Sequence, residues 1–154
     1  MWNKLKYIEY FMISFITISL IPLNFEQSVY STTDEINSDM FSSTNGGSLD
    51  VQISALPTPI ISQDETKFKI TFFEPNTTTV QVHVDYDLIV SSDNQEIFSA
   101  SKLTGQPLLH TAEGTVTIPY KFESPGIYSI KVPVLGINFV PINPEFAEFD
   151  VQVK

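Results

Sequence analysis

The chain has 154 residues and a formal net charge of -10, from 18 carboxylates against eight lysines and no arginine. Such a surface repels a phosphate backbone and lacks the bidentate clamp that arginine offers phosphate, so nucleic acid is not an expected partner. Cysteine is absent too, which excludes disulfides, thiolate metal sites, cysteine nucleophiles and the thiolate ligand of a blue-copper centre.

At the front, Lys4 and Lys6 precede Tyr10–Leu23, an uncharged and mostly apolar run of 14 residues. That length suits the apolar region of a signal peptide and falls short of the roughly 20 residues of a membrane span. Val29-Tyr30-Ser31 offers a small-residue cleavage site before Thr32. Residues 1–31 therefore read as a signal peptide or, if retained, as an N-terminal anchor tethering the chain through residues 8–23. Either reading makes the remainder secreted or extracytoplasmic. Residues 32–48 (TTDEINSDMFSSTNGGS) are polar with sporadic apolar residues. They read as a flexible linker too poor in apolar surface to fold, with a short docking segment through Ile36, Met40 and Phe41 as the other reading.

The folded domain is expected over residues 49–154. Leu49, Val51 and Ile53 alternate with polar residues as a first strand, which Pro57 and Pro59 interrupt and which Ile60 and Ile61 are placed to resume on another sheet. Thr66–Phe73 follows with Phe68, Ile70 and Phe72 inward, then a turn whose Asn76-Thr77-Thr78 is an N-glycosylation sequon. The longest alternating run, Val80–Val90, puts six apolar residues on one face and Gln81, His83, Asp85 and Asp87 on the other. Glu96–Lys102 reads as its hairpin partner. Gly114–Val132 holds two more alternating runs around Glu123-Ser-Pro-Gly126 and reads as the central strand pair. Their inward faces are Val116, Ile118, Tyr120 and Phe122, then Tyr128, Ile130, Val132 and Val134. Pro119 and Pro133 in these runs call for a bulge, an edge position or an early strand end, because proline has no N–H for a ladder. Leu135–Pro144 reads as an irregular apolar connection, and Phe146–Val153 as the last strand.

About seven short strands without a helix predict an all-β, immunoglobulin-like (fibronectin-like or PKD-like) antiparallel β-sandwich. Phe122-Glu-Ser-Pro-Gly-Ile-Tyr-Ser-Ile-Lys-Val132 resembles the F-x-x-x-G-x-Y-x-I-x-V corner of PKD-like and other Ig-like domains in bacterial and archaeal surface proteins. The resemblance implies that Tyr128 is a corner tyrosine whose hydroxyl returns to the backbone. A leader, a polar linker and one such domain are similar to small exported archaeal proteins. The family includes adhesins, enzyme-appended modules and spacers.

Candidate chemistry is sparse. His83, Asp85 and Asp87 stand at every second position, about 6.6 Å apart by strand rise, a donor set suited to zinc or copper(II); the same positions also read as a solvated outer face. His110 and Glu113 could join His83. No nucleophile elbow or recognisable carboxylate pair argues for an enzyme, and no cofactor is called for. Ile137, Phe139, Val140 and Ile142 form the last candidate, either capping the end of the sandwich or exposed as a contact patch. The leading expectation is a non-enzymatic exported module acting through protein or envelope contacts; the alternative is a metal-binding or carrier module using the His83 face.

Overall fold

The computed structural model describes residues 39–154; the leader, the anchor and the linker up to Ser38 lie outside them. The described part is all-β, with antiparallel strands in two sheets and one helical turn. In sheet A, β1 (Met40–Ser43), β2 (Asp50–Leu56), β3 (Glu65–Phe73) and β8 (Thr115–Lys121) lie side by side in that order. Sheet B runs β6 (Gln95–Ser99), β5 (Ile89–Ser92), β9 (Gly126–Ile137), β4 (Val84–Tyr86), β7 (Leu109–Thr111), with β10 (Val140–Val153) also on β9. The short helix α1 (Ala100–Thr104) follows β6. Among the described residues no helix is long and apolar enough to cross a membrane.

Alternation decides what is inside. Phe68, Ile70 and Phe72 of β3, Val51 and Ile53 of β2, and Ile130, Val132 and Val134 of β9 are all fully buried. At about 25 cal/mol per Å² of apolar surface, each side chain of this size contributes roughly 1.5–3 kcal/mol. Phe122 links the layers, meeting Phe68, Tyr120 and Tyr128 with ring centroids 4.7–6.0 Å apart. Ile60 crosses over as its position suggests, bridging to Val153 at the end of β10.

Three expectations change. First, residues 40–48 are not linker: Met40–Ser43 pairs with Asp50–Ile53 as a hairpin, because Met40 packs on the core and gives the strand an apolar anchor. Second, β8 and β9 are not a pair. β8 bonds to β3 in sheet A and β9 belongs to sheet B, so the Glu123–Pro125 turn passes between layers. The Tyr128 hydroxyl donates to the Ser124 carbonyl at 2.8 Å and closes that passage. Pro119 lies on β8, an edge strand that needs ladder bonds on one side only.

Third, the Val80–Val90 run is broken. Val80 and Val82 are exposed, and Val80 bridges to Phe73 of sheet A. At His83, with φ of 53°, the chain turns into sheet B. It then divides into β4 and β5, which share one edge of β9 because β10 occupies the other. Pro133 sits at the division; the Asp87 N–H donates to its carbonyl at 3.1 Å. The Glu96–Lys102 partner is correspondingly short: β6 ends at Ser99, whose side chain caps α1.

Glu145 staples the β1–β2 turn to β10. Its carboxylate accepts from the hydroxyls of Thr44 and Ser48 and from the Ser48 N–H at 2.7–3.1 Å. The Thr44 hydroxyl holds the Glu145 carboxyl below its ordinary 4.5; burial works against it, and the Ser48 hydroxyl and N–H add to the lowering. Gly46 lies against this carboxylate, where any Cβ would collide with it. Because the folded carboxyl is the stronger acid, its contribution is complete above the ordinary value and is lost as pH falls through the folded value. Glu145→Gln should therefore lower stability in urea at neutral pH, and the gap to the parent should close in acid below the folded value.

Candidate functional site

The two histidines meet at one end of sheet B. In the β4–β7 register Asp85 stands opposite His110, and on its other side Asp85 stands opposite Gly136 of β9. A Cβ on Gly136 would come within 2.5 Å of the Asp85 carboxylate, so the glycine leaves the space this side chain occupies. Asp85 Oδ1 and His110 Nδ1 are 2.7 Å apart. In the tautomer that donates Nδ1–H to the carboxylate, Nε2 is the acceptor nitrogen of the ring.

A two-residue turn completes the cluster. Ile137 pairs with Val140, and the residues between them, Asn138 and Phe139, have φ of 52° and 65°, the left-handed pair of a type I′ hairpin. The stretch expected as irregular is thus the tip of the β9–β10 hairpin, with its irregularity confined to a register shift between Pro141 and Glu145. The tip is tied back by the Asn138 N–H to the His83 carbonyl at 2.8 Å and by the Gln81 amide to Asn138 Oδ1. Phe139 lies 4.3 Å from the His83 ring and 5.4 Å from the His110 ring, centroid to centroid, and the two imidazoles are 5.7 Å apart. Ile137 and Ile142 pack on the core, whereas Phe139 is 69% exposed and Val140 61%. The candidate loop thus divides into two anchors and two presented residues.

Asp87 is elsewhere. It is buried, and its carboxylate accepts the N–H groups of Leu88 and Ser101 and the hydroxyls of Ser99 and Ser101, at 2.7–2.9 Å. The break in the run turns it away from His83 and Asp85, so the expected trio does not converge. Glu113 is exposed in the turn before β8. Among the described residues no three His, Asp or Glu side chains are grouped to hold a metal. Two imidazoles remain, one oriented by a carboxylate, the other with a buried Nδ1 that has no hydrogen-bond partner among the described residues.

Sequence reading missed a second site. A groove of about 380 Å³ on the outer face of sheet A is lined by Phe41, Ser43, Asp50, Gln52, Phe73 and the Thr77–Thr78 turn. Its signal was the Phe72-Phe73 doublet: in a period-2 strand one of two adjacent aromatics must point outward. The Ser43 hydroxyl and the Asn76 N–H both donate to Asp50, holding its carboxyl below the ordinary 3.8.

Comparison with known proteins adds little. No protein family matches the chain, and no curated protein does. Among solved structures, the soluble domain of PmoD from Methylocystis sp. strain Rockwell is similar at 15% identity over 77% of this chain and 98% of that one, with a TM-score of 0.43.

The two aspartates separate by substitution. Asp87→Ala leaves two hydroxyls and two N–H groups without their acceptor and should cost about 3 kcal/mol in denaturant unfolding. Asp85→Ala, at a pair whose side chains are 34% and 22% exposed, should cost less than about 1 kcal/mol.

Proposed function

We propose that this chain is an exported, non-enzymatic module with an immunoglobulin-like sandwich that acts through contact with a protein or a cell-envelope component. The contact surface in this reading is the β9–β10 tip, with Phe139 as its centre and Val140 beside it. One observation carries it. Phe139 holds a left-handed backbone conformation, disfavoured for a bulky side chain, yet its ring is exposed and backed by two imidazoles. Core stability does not account for an aromatic there, since Ile137 and Ile142 anchor the hairpin. Exposed aromatics on rigid supports are favoured contact residues, because a large area is presented at small entropic cost.

A second reading is a metal-binding or carrier module. The carboxylate-oriented His110, with Nε2 on the other side of the ring, favours it, since a ligating imidazole commonly donates its other N–H to a carboxylate. Here His83 and His110 replace the set His83, Asp85 and Asp87.

Amide NMR spectra of the full chain separate the readings. On addition of extract from its own envelope, shifts should centre on residues 137–142 and vanish in Phe139→Ser, whose unfolding free energy should stay within about 1 kcal/mol of the parent. Saturable shifts at His83 and His110 with copper(II) or zinc(II) alone would give the function to the metal reading. A loss of several kcal/mol in Phe139→Ser would make the ring a cap.

A further inference from the structure

The sequon and the groove on sheet A occupy the same place. Asn76 lies in the exposed turn that joins Phe73 to Val80, closed by the Glu74 N–H to the Thr79 carbonyl at 2.9 Å. Asn76 has φ of 58°, and its own N–H donates to Asp50 Oδ2 at 2.7 Å, which folds the turn down onto the outer face of the sheet. Among the described residues the Asn76 side chain makes no hydrogen bond, so its carboxamide is free while its backbone is pinned. The turn's next two residues, Thr77 and Thr78, form one wall of the groove. Phe73, three residues before Asn76, is on the floor with Phe41, which is 65% exposed. An aromatic three positions before the asparagine and a threonine two after it are thus held on one surface by a closed turn.

The lining suits one kind of occupant. Two phenyl faces offer negative π-surfaces to the positively polarised C–H edge of a pyranose ring. The Gln52 amide, the Ser43 hydroxyl and the unused lone pairs of the Asp50 carboxylate stand around them for hydroxyl groups. At about 380 Å³ the groove has room for one or two sugar rings. A covalent link from Asn76 would deliver such a ring without the loss of freedom that a free ligand incurs.

We infer that Asn76 is an N-glycosylation site whose first sugar folds back into this groove, over Phe41 and Phe73. The inference rests on the exported reading of the chain. The donor is an oligosaccharide on a polyisoprenoid phosphate or diphosphate, and the catalyst a membrane-bound oligosaccharyltransferase. Asn76 Nδ2 attacks the anomeric carbon, the N–C1 bond forms and the C1–O bond to phosphate breaks. The lipid phosphate leaves with the bonding electrons, and the amide proton passes to a base of the transferase; nothing is oxidised or reduced. The sugar then lies against sheet A, where it covers Phe41.

The test uses the full chain recovered from its own cells after fractionation. Peptide mass spectrometry should find the Asn76 peptide heavier by whole sugar residues, and the increment should disappear in Asn76→Gln and in Thr78→Ala. The glycosylated chain should melt about 4 °C above Asn76→Gln. In a double-mutant cycle that difference should fall by at least half when Phe41 is replaced by Ser, with the sugar still attached. Chain found outside the cytoplasm with Asn76 unmodified overturns the inference and leaves the export reading standing. Chain confined to the cytoplasm overturns both. A melting difference unchanged in Phe41→Ser shows a sugar that points to solvent and overturns its place in the groove.

Discussion

One carboxylate decides how sheet B is wired. Asp87 is buried in the middle of a run that hydrophobic alternation would otherwise carry through as a single strand, and burial of a charge is tolerated only with its acceptors filled. Four donors fill them, two from the backbone of Leu88 and Ser101 and two from the hydroxyls of Ser99 and Ser101. To reach them the chain breaks its ladder beside Pro133, the one β9 residue there with no N–H to offer. The consequences run outward. β5 is free to turn into its hairpin with β6, β4 is free to pair with β7, and the second pairing sets Asp85 against His110. The histidine cluster is thus a product of a break several residues away.

The same chemistry recurs at the other fixed points. With 18 carboxylates and eight lysines, most acids cannot be paired with a cation, and the ion pairs formed with lysine are exposed, where such pairs stabilise little. The acids that organise structure take hydroxyls and N–H groups: Asp50 from Ser43 and Asn76, Glu145 from Thr44 and Ser48, Asp87 from its four donors. Each has at least one partner from a segment distant in sequence: Asn76 for Asp50, Thr44 for Glu145, Ser99 and Ser101 for Asp87. In a chain without cysteine, these charge-assisted bonds do cross-linking that disulfides do in other small domains.

How much of this was legible follows from what period 2 encodes. It tells which face of a strand is buried, and Phe68, Ile70 and Phe72, or Ile130, Val132 and Val134, are inside as their spacing requires. It does not tell which strand lies alongside. Hence β8 and β9, which read as a hairpin, belong to different sheets, while the corner at Tyr128 that separates them was visible as a motif. Residues 40–43 were illegible for another reason: a four-residue strand with one apolar anchor is too short to show a period. His83, Asn138 and Phe139 adopt left-handed conformations that sequence assigns to glycine or asparagine, so the approach of His83, His110 and Phe139 had a signal at Asn138 alone. Asp87 was misplaced because a polar residue at an outward position is the ordinary case, and its four partners come from a helical turn that no periodicity announced.

The hairpin tip shows where local preference has been overruled. A type I′ turn is most easily made by Asn-Gly, and this chain has the asparagine but follows it with phenylalanine. Left-handed geometry at a non-glycine residue costs roughly 1 kcal/mol or more, and nothing in the core recovers it, since the Phe139 ring is mostly in solvent. What the ring does gain is a fixed seat: His83 and His110 lie against it, His110 is held by Asp85, and Asp85 has its space because residue 136 is glycine. Four residues therefore converge on one exposed aromatic. In the contact reading proposed above, a ring seated in this way meets another molecule without first having to be ordered.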